Sequence, residues 1–127
     1  MSDRRRVSSG SPYEPVIGFC RALQVGDRVL VAGTAPVWPD GTCPDDPAAQ
    51  TRRCLEIIVA ALKELGAGPE HVVRTRMFLT RTDDWEAVGR AHGEVFRDQR
   101  PVSTMVVVKE LLDPRWRIEI EAEAVLA

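Results

Sequence analysis

The sequence predicts an α+β fold, a two-layer sandwich in which two amphipathic helices cover one face of a mixed sheet in the order β-β-α-β-α-β-β. Three observations carry this. "RIEIEAEAV" sets Ile118, Ile120, Ala122 and Ala124 against Glu119, Glu121 and Glu123, the period-two pattern of a half-buried strand. Cys54, Leu55, Ile58, Ala61, Leu62 and Leu65 recur at i, i+3, i+4 and i+7 and make one apolar helical stripe. Two apolar runs, "GFCRALQV" and "RVLVAGT", meet at Gly26-Asp27, a dipeptide of tight hairpin turns.

Residues 1–15 are basic and serine-rich with no apolar stretch after them, so they are expected to form a flexible tail ahead of a single domain over 16–127. The first two strands span Gly18–Val25 and Arg28–Thr34. "APVWPDGTCPDDP" holds four of the nine prolines and is a loop. Asp46-Pro47 has the form of a helix start, with a side-chain cap followed by proline at the first helical position. The helix runs to about Leu65, and Gly66 supplies the stop. "HVVRTRMFLT" is a strand with Val73, Thr75, Met77 and Leu79 on one face and Arg74, Arg76 and Phe78 on the other. "DDWEAVGRAHGEVF" is a second helix, with Asp83 and Glu86 as a capping box and Trp85, Val88, His92, Val95 and Phe96 as the inner stripe. "TMVVVKEL" precedes the final alternating strand. Two helices cover only one face of the sheet. The other mixes glutamates with apolar residues, which suits packing against symmetry mates better than full burial or full exposure.

At 127 residues the chain is sized for one domain with a proper core. A net charge of −2 gives no electrostatic reason to expect nucleic acid or membrane as a partner, and no segment reaches the roughly 20 apolar residues of a membrane helix. Three cysteines without C-x-x-C spacing argue against a disulfide scaffold and fit a reducing cytoplasm. With His71 and His92 the only histidines, one subunit cannot build a multi-histidine metal site, and no phosphate-binding or nucleophile-elbow motif occurs. His92 reads as a hydrogen-bonded core histidine. Glu119, Glu121 and Glu123 stand about 7 Å apart on one strand face. Either they pair with Arg74, Arg76 or Arg117, or one of them is buried, has a raised pKa and serves as a general acid or base.

"VGDRVLVAGTAPV", "AAQTRRCLEIIVAALKELGAG", "VVRTRMFLTRTDDWEAV" and the final "IEIEAEAV" after a proline-led turn together resemble the RidA/YjgF (Rid) family of small enamine/imine deaminases, from about Ile17 to Val125. The resemblance implies a chorismate-mutase-like fold assembled as a homotrimer around a central barrel, with a small-molecule cleft at each subunit boundary and no cofactor. In deaminating members an arginine clamps the substrate carboxylate and a glutamate positions the attacking water.

The glutamate matches Glu119. The family's tyrosine falls on Phe19, its serine on Ala32 beside Gly33 and Thr34, its asparagine on Gly89 and its cysteine on Met105. The clamp arginine falls on Ser103 in "RPVSTM", next to Thr104, which marks a divergent subgroup lacking that residue. Losing such a charge-assisted contact should cost on the order of 2–3 kcal/mol of binding. Arg74, Arg76, Arg100 and Arg117 are the candidates to replace it, although Arg100 also suits a carboxylate partner at a subunit boundary. Trp38 either closes over the cleft or packs on a neighbour. The expected function is hydrolysis of a neutral or apolar imine or enamine by Glu119. The alternative is a trimer that binds a small metabolite without turnover, and ribonuclease or translation-inhibitor activity, reported for some relatives, ranks last.

Overall fold

The computed structural model describes residues 4–127. Its elements in chain order are β1 (Arg4–Val7), α1 (Tyr13–Ile17), β2 (Ala22–Val25), β3 (Arg28–Thr34), α2 (Pro47–Glu64), β4 (Val72–Leu79), α3 (Trp85–Phe96), β5 (Val102–Val107) and β6 (Ile118–Val125). The six strands form one sheet in the order β1-β2-β3-β6-β4-β5. All neighbours run antiparallel except β4 and β5, which are parallel because α3 carries the chain across between them.

Helices α2 and α3 pack on each other, and α2 also packs on β3 and β6, so the core lies between the helices and one sheet face. The expected stripe of α2 is buried in full, from Cys54 to Leu65. Asp46 caps it through a carboxylate oxygen that accepts the Ala48 N–H at 3.3 Å, and Gly66 follows at φ 75°. In β6 Ile118, Ile120, Ala122 and Ala124 face the core, and the three glutamates face the open side. The Gly26-Asp27 turn pairs Val25 with Arg28, as a two-residue hairpin requires. The cysteines are free, and burial in the core pushes the Cys54 thiol well up, which leaves it inert.

Four expectations are corrected. The presumed tail is structured from Arg4 onward: β1 pairs with β2, Val7 is buried, and Glu14 is clasped by the Ser9 N–H at 2.8 Å and by the Ser9 hydroxyl. Met1–Asp3 lie outside the described residues. A single buried valine and one buried carboxylate do this, too little to tilt an otherwise polar composition. The first predicted strand starts four residues late, at Ala22, because Gly18 ends α1 in the left-handed region at φ 89°. In β4 the register breaks between Val72 and Arg74, so Val72 takes the buried place and Val73 is turned out. The Asp83–Glu86 capping box does not form. A 3₁₀ turn, Thr82–Asp84, precedes α3, Trp85 is 58% exposed, and buried Asp84 turns to Arg117 instead.

Candidate functional site

The three glutamates of β6 divide by environment. Glu121 pairs with Arg76 at 2.6 Å and Glu123 with Arg28 at 3.5 Å, both on the open sheet face. Glu119 has no hydrogen bond or ion pair among the described residues. It is half-buried, and burial pushes its carboxyl upward, opposed by the Arg21 charge and reinforced by Glu121. A raised pKa makes it a stronger base than an exposed carboxylate.

What permits the placement is Gly33. The ladder between β3 and β6 is irregular between Val31 and Thr34, and there Glu119 lies over the glycine backbone. A Cβ on Gly33 would stand 2.6 Å from Glu119 Oε2. Thr34 lies inward, fully buried, its hydroxyl donating to the Ala32 carbonyl at 2.7 Å, so it shapes the bend and does not line an open site. Arg21 reaches the same glycine from β2's side of the sheet: its Nη2 donates to the Gly33 carbonyl at 2.6 Å. Its guanidinium stands 5.8 Å from the centroid of the Phe19 ring, within cation–π range. The structure therefore brings Phe19, Ala32, Gly33 and Glu119 together and adds Arg21, which the sequence reading passed over. No local pattern marks it, since Phe19 and Arg21 both lie between Gly18, which ends α1, and the start of β2 at Ala22.

The remaining predicted residues form a second group. Ser103 and Met105 lie on β5 opposite Thr75 and Met77, on the helix side of the sheet edge, and Met105 Cε is 4.0 Å from where a Gly89 Cβ would be. Thr104 points to the other face, beside Arg76. Thr75 donates to Ser103 Oγ at 2.8 Å, so the 2.9 Å contact of Thr75 Oγ1 with His92 Nε2 requires the imidazole to donate there. Fully buried Thr75 was not foreseen as a link. Burial pushes the His92 pKa down, so the imidazole is neutral at pH 7. Trp38 sits half-buried in the loop after β3, five residues beyond Gly33, and its carbonyl accepts the Gly41 N–H at 3.0 Å.

The two groups do not meet within one chain. Through the pairing, Ser103 aligns with Ala122, three residues along β6 from Glu119 and two strands away. Strand geometry makes that on the order of 14 Å, on opposite faces of the sheet. Two cavities on the single chain, one of about 170 Å³ over Arg74, Arg76, Glu121 and Glu123 and one of about 270 Å³ beside His92, Arg97 and Arg100, are lined by neither Glu119 nor Ser103. The arginines considered as clamps are otherwise engaged or remote. Arg117 forks onto Asp84 at 2.7 and 3.0 Å and reaches Asp45 at 3.1 Å, Arg76 holds Glu121, and Arg100, at φ 51°, donates to the Arg97 carbonyl. Arg74 lines the sheet-face cavity. Among the described residues no cluster of three metal-ligating side chains occurs, and no helix is long and apolar enough to cross a membrane.

A six-stranded α+β domain with a free carboxylate set over a glycine on its open face belongs to a defined class of small sheet-and-helix proteins. A family model described as Endoribonuclease L-PSP matches residues 10–126. An uncharacterized protein of Streptomyces coelicolor is 46% identical over 94% of this chain and 90% of its own length. A RutC family protein of Pyrococcus abyssi is 31% identical over 88% of this chain and 87% of its own. The crystal structure of a YjgF/YER057c/UK114 family member from Mycobacterium tuberculosis superposes with a TM-score of 0.90 at 43% identity, covering 97% of this chain and 99% of that one. The chain belongs to the Rid/YjgF family.

Proposed function

We propose that the protein is a Rid-type hydrolase of a small imine or enamine, working as a homotrimer whose clefts join the Glu119 group of one subunit to the Ser103 group of the next. The observation that carries the reading is Glu119 itself, the one glutamate of β6 left without a partner and the one whose carboxyl is pushed up. The assembly is supported by the separation of the two groups and by β5, an edge strand exposing Val102, Val106 and Val107. An uncovered apolar edge is an aggregation hazard unless another chain covers it, whereas the opposite edge, β1, is protected by Arg4, Arg5 and Arg6.

In the proposed reaction Glu119 takes a proton from water as the oxygen bonds to the imine carbon and the C=N π pair moves to nitrogen. That proton passes to the nitrogen and gives a carbinolamine; its hydroxyl then gives up a proton, which reaches the nitrogen as the C–N bond breaks and the C=O forms, so that a carbonyl compound and ammonia leave. An enamine first becomes the imine, gaining a proton on carbon and losing one from nitrogen. Water is the only co-reactant the balance requires. Phe19, Ala32, Gly89 and Met105 make the cleft roomier and more apolar than the family's deaminases imply.

The same replacements favour a second reading, a trimer that captures a metabolite without turnover. Ammonia release from 2-iminopropionate generated in situ separates the two. Release above the spontaneous rate supports the hydrolase. Thermal stabilisation by the product-like acid pyruvate, without catalysed release, supports the binder. RNA cleavage, the activity in the family's name, ranks below both, because the net charge is −2 and the sheet-face residues Arg28 and Arg76 are paired with glutamates.

A further inference from the structure

We propose that Arg21 is the anion-binding residue of the Glu119 cleft, so that the ligand carries a carboxylate or similar planar oxyanion close to the carbon that water attacks. The inference deepens the hydrolase reading and rests on its cleft. Three features of Arg21 lead to it. Its Nε is buried with no hydrogen-bond partner, the only such side-chain atom among the described residues. Leaving a buried donor unsatisfied is costly, and such atoms are where ligands or waters dock. Next, no carboxylate lies within 4.0 Å of the guanidinium among the described residues. Glu14, the nearer acidic influence, is already committed to Ser9. Finally, the side chain is held in place rather than free, by the Gly33 carbonyl on Nη2 at 2.6 Å and by the Phe19 ring at 5.8 Å.

The position matters as much as the free donor. Arg21 and Glu119 both bear on Gly33, one on its carbonyl and the other over its Cα. A ligand oxygen on Arg21 therefore brings the adjoining carbon toward the carboxylate that activates water. Guanidinium presents its N–H groups as a planar fork, and the geometry it fits best is a carboxylate. Burial lowers the Arg21 pKa from its ordinary value while the Glu119 and Glu14 charges oppose the drop, and arginine stays a cation throughout the working pH range. On this proposal the ligand is anionic although Ser103 stands where the family's clamp arginine falls. The cation stands on β2's side of the site and not on β5.

The test measures binding of pyruvate and of its neutral amide, pyruvamide, to the full-length protein by titration calorimetry, with Arg21→Gln and Arg21→Lys variants. Wild type should bind pyruvate at least about tenfold more tightly than pyruvamide, the worth of one charge-assisted contact. Arg21→Gln should lose that preference by weakening pyruvate far more than pyruvamide, and Arg21→Lys should keep part of it. Unfolding temperature and oligomer size report whether each variant is intact, and if Arg21→Gln does not fold, Arg21→Lys decides by a reduced preference. Equal affinity of wild type for the two probes, no binding of either, or a pyruvate preference that survives Arg21→Gln overturns the proposal. Glu119→Gln separates it from the hydrolase reading. An Arg21-dependent preference with no ammonia release from 2-iminopropionate leaves Arg21 as the anion site and removes the hydrolase. Catalysed release with unchanged pyruvate preference in Arg21→Gln does the reverse.

Discussion

Substituting Gly33 by alanine perturbs the proposed chemistry with little effect on the fold. The new Cβ would stand 2.6 Å from Glu119 Oε2, 3.2 Å from its Cδ and 3.7 Å from its Cγ. Ordinary contact begins near 3.5 Å, so the carboxylate must move by about 1 Å. What moves is the end of a flexible side chain, at a cost of roughly 0.5–1.5 kcal/mol. Gly33 does not have a positive φ, so alanine is sterically acceptable on the backbone and recovers roughly 0.4–1 kcal/mol by restricting the unfolded chain. Net stability should stay within about 1 kcal/mol of wild type, a shift of no more than about 4 °C in unfolding temperature. Turnover should fall by about 100-fold, the usual consequence of misplacing a reacting group by about 1 Å. The pH profile should also move. In wild type the rate should rise with pH as Glu119 ionises, and burial, which raises its pKa, should set that limb at higher pH than an exposed carboxylate would. Displacing the carboxylate toward solvent lowers that pKa and carries the acidic limb to lower pH. The assay is ammonia release from 2-iminopropionate as a function of pH, beside a thermal melt. A rate within about twofold of wild type, with the acidic limb in place, would refute the role given to the Gly33–Glu119 contact.

Two further predictions concern the scaffold. Asp84→Asn removes the charge facing Arg117, whose side chain is 15% exposed and keeps only the exposed Asp45 as an ionic partner. The loss should be about 2–3 kcal/mol, or roughly 10 °C in the melt, and adding Arg117→Met should recover part of it; additive losses would contradict a coupled pair. His92 is held below its ordinary pKa by burial, so on acidification the unfolded chain takes up its proton first. The stability His92 contributes is therefore complete above about pH 6.5 and declines as the pH falls through that value toward its folded pKa. Melts from pH 7.5 to 5 should show wild type losing more stability than His92→Gln, and parallel curves would contradict the assignment.

Legibility in the sequence tracked how far each element depends on its own residues. Helix α2 carries cap, stripe and stop within 21 residues, from Asp46 to Gly66, and was readable throughout. Strand β6 was readable because alternation is a local property. Elements that depend on a distant partner were not. The Asp83–Glu86 pattern looked like a cap, but Asp84 is claimed by Arg117, 33 residues away, and α3 starts differently as a result. Strand β1 exists because β2 offers an edge and Ser9 meets Glu14. The site divides in the same way. Glu119 was singled out by its place in the motif, but its separation from Glu121 and Glu123 depends on which arginine lies across each strand pair. Arg21 was overlooked because a single arginine in an arginine-rich chain has no pattern of its own, and only the Gly33 carbonyl and the orphaned Nε give it meaning.

The most direct measurement is the single-turnover rate of 2-iminopropionate hydrolysis by Glu119→Gln. The amide keeps the size of the carboxylate and removes its basicity, so oligomer size and pyruvate binding should match wild type while the rate falls by at least about 100-fold, within the range of a lost general base. A variant that still releases ammonia at the wild-type rate would show that Glu119 does not activate the water.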